Sequence, residues 1–404
     1  MSPAASYDSR TAVRAILLGS MVVMLAVGIR ASFGLFMQPM GVDQGWGREA
    51  FSTAFALQNL IWGVSAIGMG AIADRWGAGR AIGLSLLLYA AGLIGMRFSA
   101  SEFELYLSAG VLVGLGQGGA TFGVILPVVA RAVPPASRST AMGIVSAGGS
   151  LGQFVLVPSG QWLMQAFDWH GTLWVLSALL AAALPLAYGL RGRAVGHAAL
   201  GGQSSLSLAI REAVADRSYH FLFWSYFVCG FQTAFMLLHL PAYATDGGLT
   251  PTNGAIAVAL IGLFNVIGSF WAGKLGGKIS KKRLLAGIYW ARSLGVIGFL
   301  AMPLTPWTLY VFAAVMGLFW LGTVPLTQGL IGQIYGLRFA ATLSGMVFLG
   351  HQVGSSLGVW LGGRMYALTG SYDLVWWLSI GLGIMAGLLC LPINESAKLR
   401  PAAA

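Results

Sequence analysis

The stretch GAIADRWGAGR, residues 70–80, is a short polar break between two long apolar runs. Gly70 and Gly77 fit a tight turn between two helices. Asp74 fits a helix cap or an ion pair, and Arg75 and Arg80 fit a loop held at a charged surface. A second break, GKLGGKISKKR at 273–283, has the same kind of composition, with Gly277 where the acid would stand. The runs flanking the first break, about 50–72 and 81–98, each have the roughly 20 apolar residues that a helix needs to cross a bilayer. Extending outward gives twelve such runs: 13–37, 50–72, 81–98, 105–131, 139–165, 171–190, 219–245, 254–275, 284–303, 307–335, 341–366 and 374–393. They are continuous rather than alternating, which excludes a transmembrane β-barrel.

Composition agrees with that reading. Of 404 residues, 57% are hydrophobic and only 9% charged, against about 25% charged in a soluble domain. Glycine, at 58 residues, suits closely packed membrane helices. Cys229 and Cys390 fall inside apolar runs and read as small buried hydrophobes, without a disulfide framework. The first run exceeds a signal-peptide core and reads as a retained span.

The net charge of +11 does not point to nucleic acid once the basic residues are placed. With the N-terminus in the cytoplasm, 18 of the 23 Lys and Arg fall on cytoplasmic segments and Arg48, Arg97 and Arg364 fall outside. This bias puts both termini in the cytoplasm and makes anionic lipid the partner of the basic loops. The longest polar stretch, 191–218, divides the chain into halves 1–190 and 219–404.

Sliding the chain by 202 residues aligns GIRASF (28–33) with GFQTAF (230–235), Pro39 with Pro241 and Thr121 with Thr323. Gly143, Gly148, Gly152 and Gly160 meet Gly345, Gly350, Gly354 and Gly362. The expected fold is all-α and polytopic, with two pseudo-symmetric six-helix halves and a site between them. The 70–80 stretch resembles the loop signature of the major facilitator superfamily. That resemblance implies twelve spans, alternating access and a gating role for Gly70, Asp74, Arg75, Gly77 and Arg80. Ala78, where a basic residue is usual, departs from the signature. HLPAYATDGGL (239–249), LFN (263–265) and SGMVFLGHQVGSSLGVWLGG (344–363) resemble the bacterial monocarboxylate-transporter-like and oxalate/formate-antiporter-like branch. Ser269 stands where that branch usually carries an arginine, and His351 where some members carry a cation. A bacterial cytoplasmic membrane, a small organic anion and a working monomer follow as what the resemblance implies.

Ionisable groups inside spans are costly, so each is a functional candidate. They are Arg30, His239, Arg292 and His351; all twelve acids fall in loops or at span ends. Arg30 is expected to anchor an anionic substrate, since its planar fork fits a carboxylate. Its repeat partner Gln232 is expected to face the same axis. His351, and secondarily His239, are candidates for carrying a proton. Gln117, Asn265 and Trp320 are expected to line the site, and Arg292 to pair structurally. Asn59, Trp62, Gln58, Thr121, Gln153, Thr327 and Gln328 are polar or aromatic at similar depth. Pro127, Pro158 and Pro325 are expected to kink their helices. The sequence carries no P-loop and no metal-ligand spacing, so no cofactor and no metal are expected. The leading expectation is a secondary transporter of a small carboxylate, not an enzyme. A drug or amphiphile exporter is the first rival, and a non-transporting sensor or intramembrane enzyme is the second.

Overall fold

The computed structural model describes residues 9–134, 138–190, 206–335 and 340–397. The linker residues 191–205 lie outside them. The described residues form helices and no strands. In chain order these are α1 (Ser9–Ala31), α2 (Phe33–Gln44), α3 (Arg48–Trp76), α4 (Ala78–Phe98), α5 (Glu102–Leu105), a π segment (Tyr106–Leu112), α6 (Val113–Ala120), α7 (Phe122–Ala132), α8 (Arg138–Ala182) and α9 (Leu184–Gly189). There follow α10 (Leu206–Val214), α11 (Arg217–Asp246), α12 (Pro251–Gly276), α13 (Lys281–Leu300), α14 (Pro306–Leu318), α15 (Thr323–Tyr335), α16 (Ala340–Thr369) and α17 (Asp373–Cys390).

Ten stretches among the described residues are long and apolar enough to cross a membrane. One of them, Gly143–Gly189, holds a break at Asp168 (φ 56°, ψ −175°) that divides two helices. The 30-residue α16 is not among the ten. Its Ser344, His351, Gln352, Ser355 and Ser356 lower its hydropathy. The chain is a multi-pass membrane protein.

Starts and stops follow local chemistry. Thr250 and Thr305 each accept a backbone N–H three residues on, with Pro251 and Pro306 in the first helical turn, so donors that helix starts leave unpaired are satisfied. Gly77, at φ 95°, makes the turn between α3 and α4, a conformation that costs glycine little. Gly70 instead lies inside α3 with open space where a Cβ would be, and Asp74 lies in the last turn of that helix. The expected turn therefore belongs to Gly77 alone.

The prolines expected to kink their helices lie within them, and helix breaks fall at other residues. Pro158 sits inside α8 and Pro127 inside α7. Two interruptions instead fall at Thr121, between α6 and α7, and at residues 319–322, just before Thr323 begins α15. Thr121 and Thr323 are repeat partners.

Within each half, glycine brings backbones together. A Cβ on Gly28 would meet the Gly152 carbonyl at 2.5 Å, joining α1 to α8. On Gly358 it would meet the Phe231 carbonyl at 2.5 Å, joining α16 to α11. Such close approach is the small-residue packing that membrane helices use. Between the halves, α3 packs on α16 and α8 on α12.

Candidate functional site between the two halves

Arg30 sits in the last turn of α1, just before the interruption at Ser32. It is half-buried, and no acid pairs with it among the described residues. Its Nη2 donates to Asn59 Oδ1 at 2.5 Å. The Asn59 amide is turned that way because its Nδ2 donates back to the Phe55 carbonyl at 2.9 Å. Arg30 Nε is buried with no partner. One turn along α3, the Trp62 ring lies 5.0 Å from the guanidinium carbon, a cation–π distance. Trp62 Nε1 donates to Thr121 Oγ1 at 3.1 Å, so the break between α6 and α7 fixes the indole.

The other half supplies α11 and α16. The Phe348 ring meets Trp62 edge-on at 5.7 Å. His351, three residues on, lies parallel to Phe348 at 5.8 Å, with the Tyr226 ring 4.8 Å away. His351 Nδ1 is 3.0 Å from Gln352 Oε1 and 3.4 Å from Ser355 Oγ. Gln352 Nε2 donates across to the Asn59 carbonyl at 3.4 Å. A fixed cation, a titratable ring and an aromatic path between them thus come from both halves.

Several expected site residues do other work. Gln232 is fully buried inside the second half, donating to the Ser379 carbonyl at 2.9 Å and accepting from Arg292. It does not face Arg30, because Arg292 and α17 hold its amide. Arg292 is fully buried. Its Nε donates to the Phe319 carbonyl at 2.8 Å and its Nη2 to the Trp320 carbonyl. It therefore satisfies carbonyls that the interrupted helix leaves free, and a cation suits a helix C-terminus. Trp320, 3% exposed, packs into a cluster with Phe312 and Met316 rather than onto a cavity.

Asn265 is a strut: Nδ2 donates to Ser150 Oγ at 3.0 Å, and Oδ1 accepts from Leu321 N at 3.0 Å and Ser269 Oγ at 2.9 Å. Gln117 is fully buried beneath Thr121, its Nε2 3.4 Å from Gln58 Oε1. His239 has both ring nitrogens engaged, by the Val359 carbonyl at 2.9 Å and Tyr372 Oη at 3.2 Å. It lies in the packing at the far end rather than beside Arg30. Arg80 is exposed at the start of α4. The Asp74 and Arg75 side chains lie outside the described residues.

That far end is locked. Arg48 pairs with Asp246 through both guanidinium nitrogens, donates to Tyr372 Oη at 2.9 Å and stacks on Tyr366 at 3.8 Å. Arg364 Nη1 meets both Glu49 oxygens at 3.0 Å. Gln38–Asp246, Gln165–Thr252 and Gln153 to the Val258 carbonyl add polar contacts between the halves from mid-span toward this Arg48 end.

A sequence profile described as Major Facilitator Superfamily matches residues 16–347 and 222–404. The chain belongs to the Major Facilitator Superfamily. Its fold is that of a superfamily transporter, matching the crystal structure of a D-xylose–proton symporter with TM-score 0.74 at 13% identity, over 97% of this chain and 100% of that one. An MFS-type transporter of Bacillus subtilis (strain 168), YcxA, is 25% identical, covering 93% of this chain and 95% of that protein. Monocarboxylate transporter 13 of Bos taurus is 24% identical, covering 91% and 86%. As a member of the Major Facilitator Superfamily the chain is a membrane transporter of small molecules. Sequence reasoning missed Tyr226, Phe348 and the Arg48–Asp246 lock. Tyr226 stands one turn before Gly230, a glycine of the repeat, and that spacing was the available signal.

Proposed function

We propose that the chain moves a small monocarboxylate across a bacterial cytoplasmic membrane by alternating access, as a monomer with twelve spans and both termini in the cytoplasm. The halves are 1–190 and 219–404, joined by 191–218. The observation that carries the reading is Arg30: a half-buried guanidinium at mid-membrane with no acid beside it and one N–H unpaired. A cation kept there without a counter-ion is costly, and a bound carboxylate offsets that cost while matching its fork. Similarity to monocarboxylate transporter 13 supports the same class.

In this reading the Arg48 end is extracellular and closed. The loop of Gly70, Asp74, Arg75, Gly77 and Arg80 acts on the opposite gate. His351 carries the coupled proton. Binding of the carboxylate and of the proton favour each other in this reading, which is symport by linkage.

Arg30→Gln in proteoliposomes tests the anchor. The variant is expected to fold, to lose uptake, and to lose the thermal stabilisation that carboxylates give the parent. Arg30→Lys recovers little. Undiminished uptake by Arg30→Gln overturns the proposal.

A further inference from the structure

Beside its Asn59 partner, Arg30 meets an aromatic ring, the first of a row. Trp62 lies beneath the guanidinium, Phe348 abuts Trp62, and Tyr226 and His351 continue the row. Trp62, Phe348 and His351 are each only partly buried, so they keep accessible surface, while Tyr226 behind them is 2% exposed. Most neighbouring polar groups are already engaged, Gln117 Oε1 being left without a partner. Asn59 is held by Phe55 and Arg30, Thr121 by Gln117 and Trp62, and Gln352 by His351 and Asn59. Beyond the guanidinium edge, a substrate therefore meets ring faces and edges and few free hydrogen-bonding groups.

Resting on the anion reading above, we infer that the substrate is an aromatic monocarboxylate. Its carboxylate pairs with Arg30 and its planar body lies along Trp62 and Phe348. Trp62 and Phe348 are then the specificity-determining pair, one from each half. Three physical points support this. Ring–ring contacts add attraction beyond the area they bury, and they prefer the edge-on and offset geometries that this row already shows. A short aliphatic acid leaves the ring surfaces in contact with water and gains little beyond its charge. A second carboxylate, or a chain of hydroxyls as in a sugar acid, would be desolvated against ring faces whose quadrupole is negative, with few groups to bond it.

The test is calorimetric titration of the purified chain with acetate, pyruvate, succinate, phenylacetate and benzylamine. Phenylacetate is expected to bind at least about tenfold more tightly than acetate, pyruvate or succinate, on the scale of one buried ring contact. Trp62→Ala should reduce that preference to within about threefold, and Trp62→Phe should keep most of it. Phe348→Leu, which keeps a large apolar side chain, should lower the preference without the loss of folding that Trp62→Ala risks through its bond to Thr121. Equal affinities for acetate and phenylacetate overturn this inference, as does tighter binding of succinate, and both leave the anion reading standing. Benzylamine binding with no carboxylate binding, or phenylacetate binding undiminished in Arg30→Gln, overturns the anion reading itself.

Discussion

Replacing Arg48 by alanine removes the strongest tie between the halves. The side chains of Arg48 and Asp246 are 15% and 29% exposed, and the pair is bidentate. Arg48 also donates to Tyr372 and stacks on Tyr366. A charge-assisted hydrogen bond in partial burial is worth roughly 1.5–3 kcal/mol and the stacking roughly 0.5–1 kcal/mol. Discounting for the remaining solvent leaves about 2 kcal/mol, which moves a two-state equilibrium by about thirtyfold. Arg364 and Glu49 are 42% and 38% exposed, so their pair is worth roughly 0.2–1 kcal/mol, at most about fivefold. Spin-label distances across the Arg48 end, measured by double electron–electron resonance, should show Arg48→Ala and Asp246→Ala shifting population toward an open end. Arg364→Ala should shift it far less. The double variant at 48 and 246 should add little to either single one, because the contact is shared. If Arg48→Ala opens the end no more than Arg364→Ala does, this pair is not the lock and the reasoning fails.

Gly363→Val should disfavour closure of the Arg48 end, because a Cβ there lands on the Ser52 side chain of the other half; the same measurement should show that end held open in a folded protein. Gly152→Val should instead abolish folded protein on size exclusion, since its Cβ lands on the Met24 carbonyl within one half. Arg292→Lys should lower the melting temperature by several degrees while changing carboxylate affinity by less than about twofold, since Arg292 holds the Phe319 and Trp320 carbonyls inside the second half. His351→Gln should abolish accumulation driven by a pH gradient while counterflow of labelled against unlabelled substrate persists; accumulation on a pH gradient would move the proton path elsewhere. Asp74→Asn should change the transport rate far more than equilibrium affinity, and equal losses of both would count against a gating role for the loop.

The helices were legible because lipid imposes one requirement on every span, a run of about 20 apolar residues. The expected 284–303 and 374–393 lie close to α13 and α17. The interruptions at Thr121 and 319–322 were not legible, because partners distant in sequence create them. Arg292 and Asn265 satisfy the backbone freed at the second break, and Trp62 reaches the first. The same cause misplaced Gln232. Its repeat position pointed to the axis, but Arg292, 60 residues away in sequence, holds its amide inside the second half. Arg30 was legible as an unpaired cation because no acid occurs within a span. Its aromatic surroundings were not, since Trp62 and Phe348 meet only once α3 packs on α16.

The contact of Trp62 from one half with Phe348 from the other has a kinetic consequence. A molecule resting on both rings belongs to neither half alone, so it changes the free energy of the swing between the two faces as well as its own binding. The carrier should then reorient at different speeds with and without cargo. With Arg30 neutralised by a carboxylate, the loaded passage should be the faster one and the empty return the slow step. Substrate supplied on the far side would relieve that step, so the flux of tracer should rise rather than fall when the receiving compartment is filled.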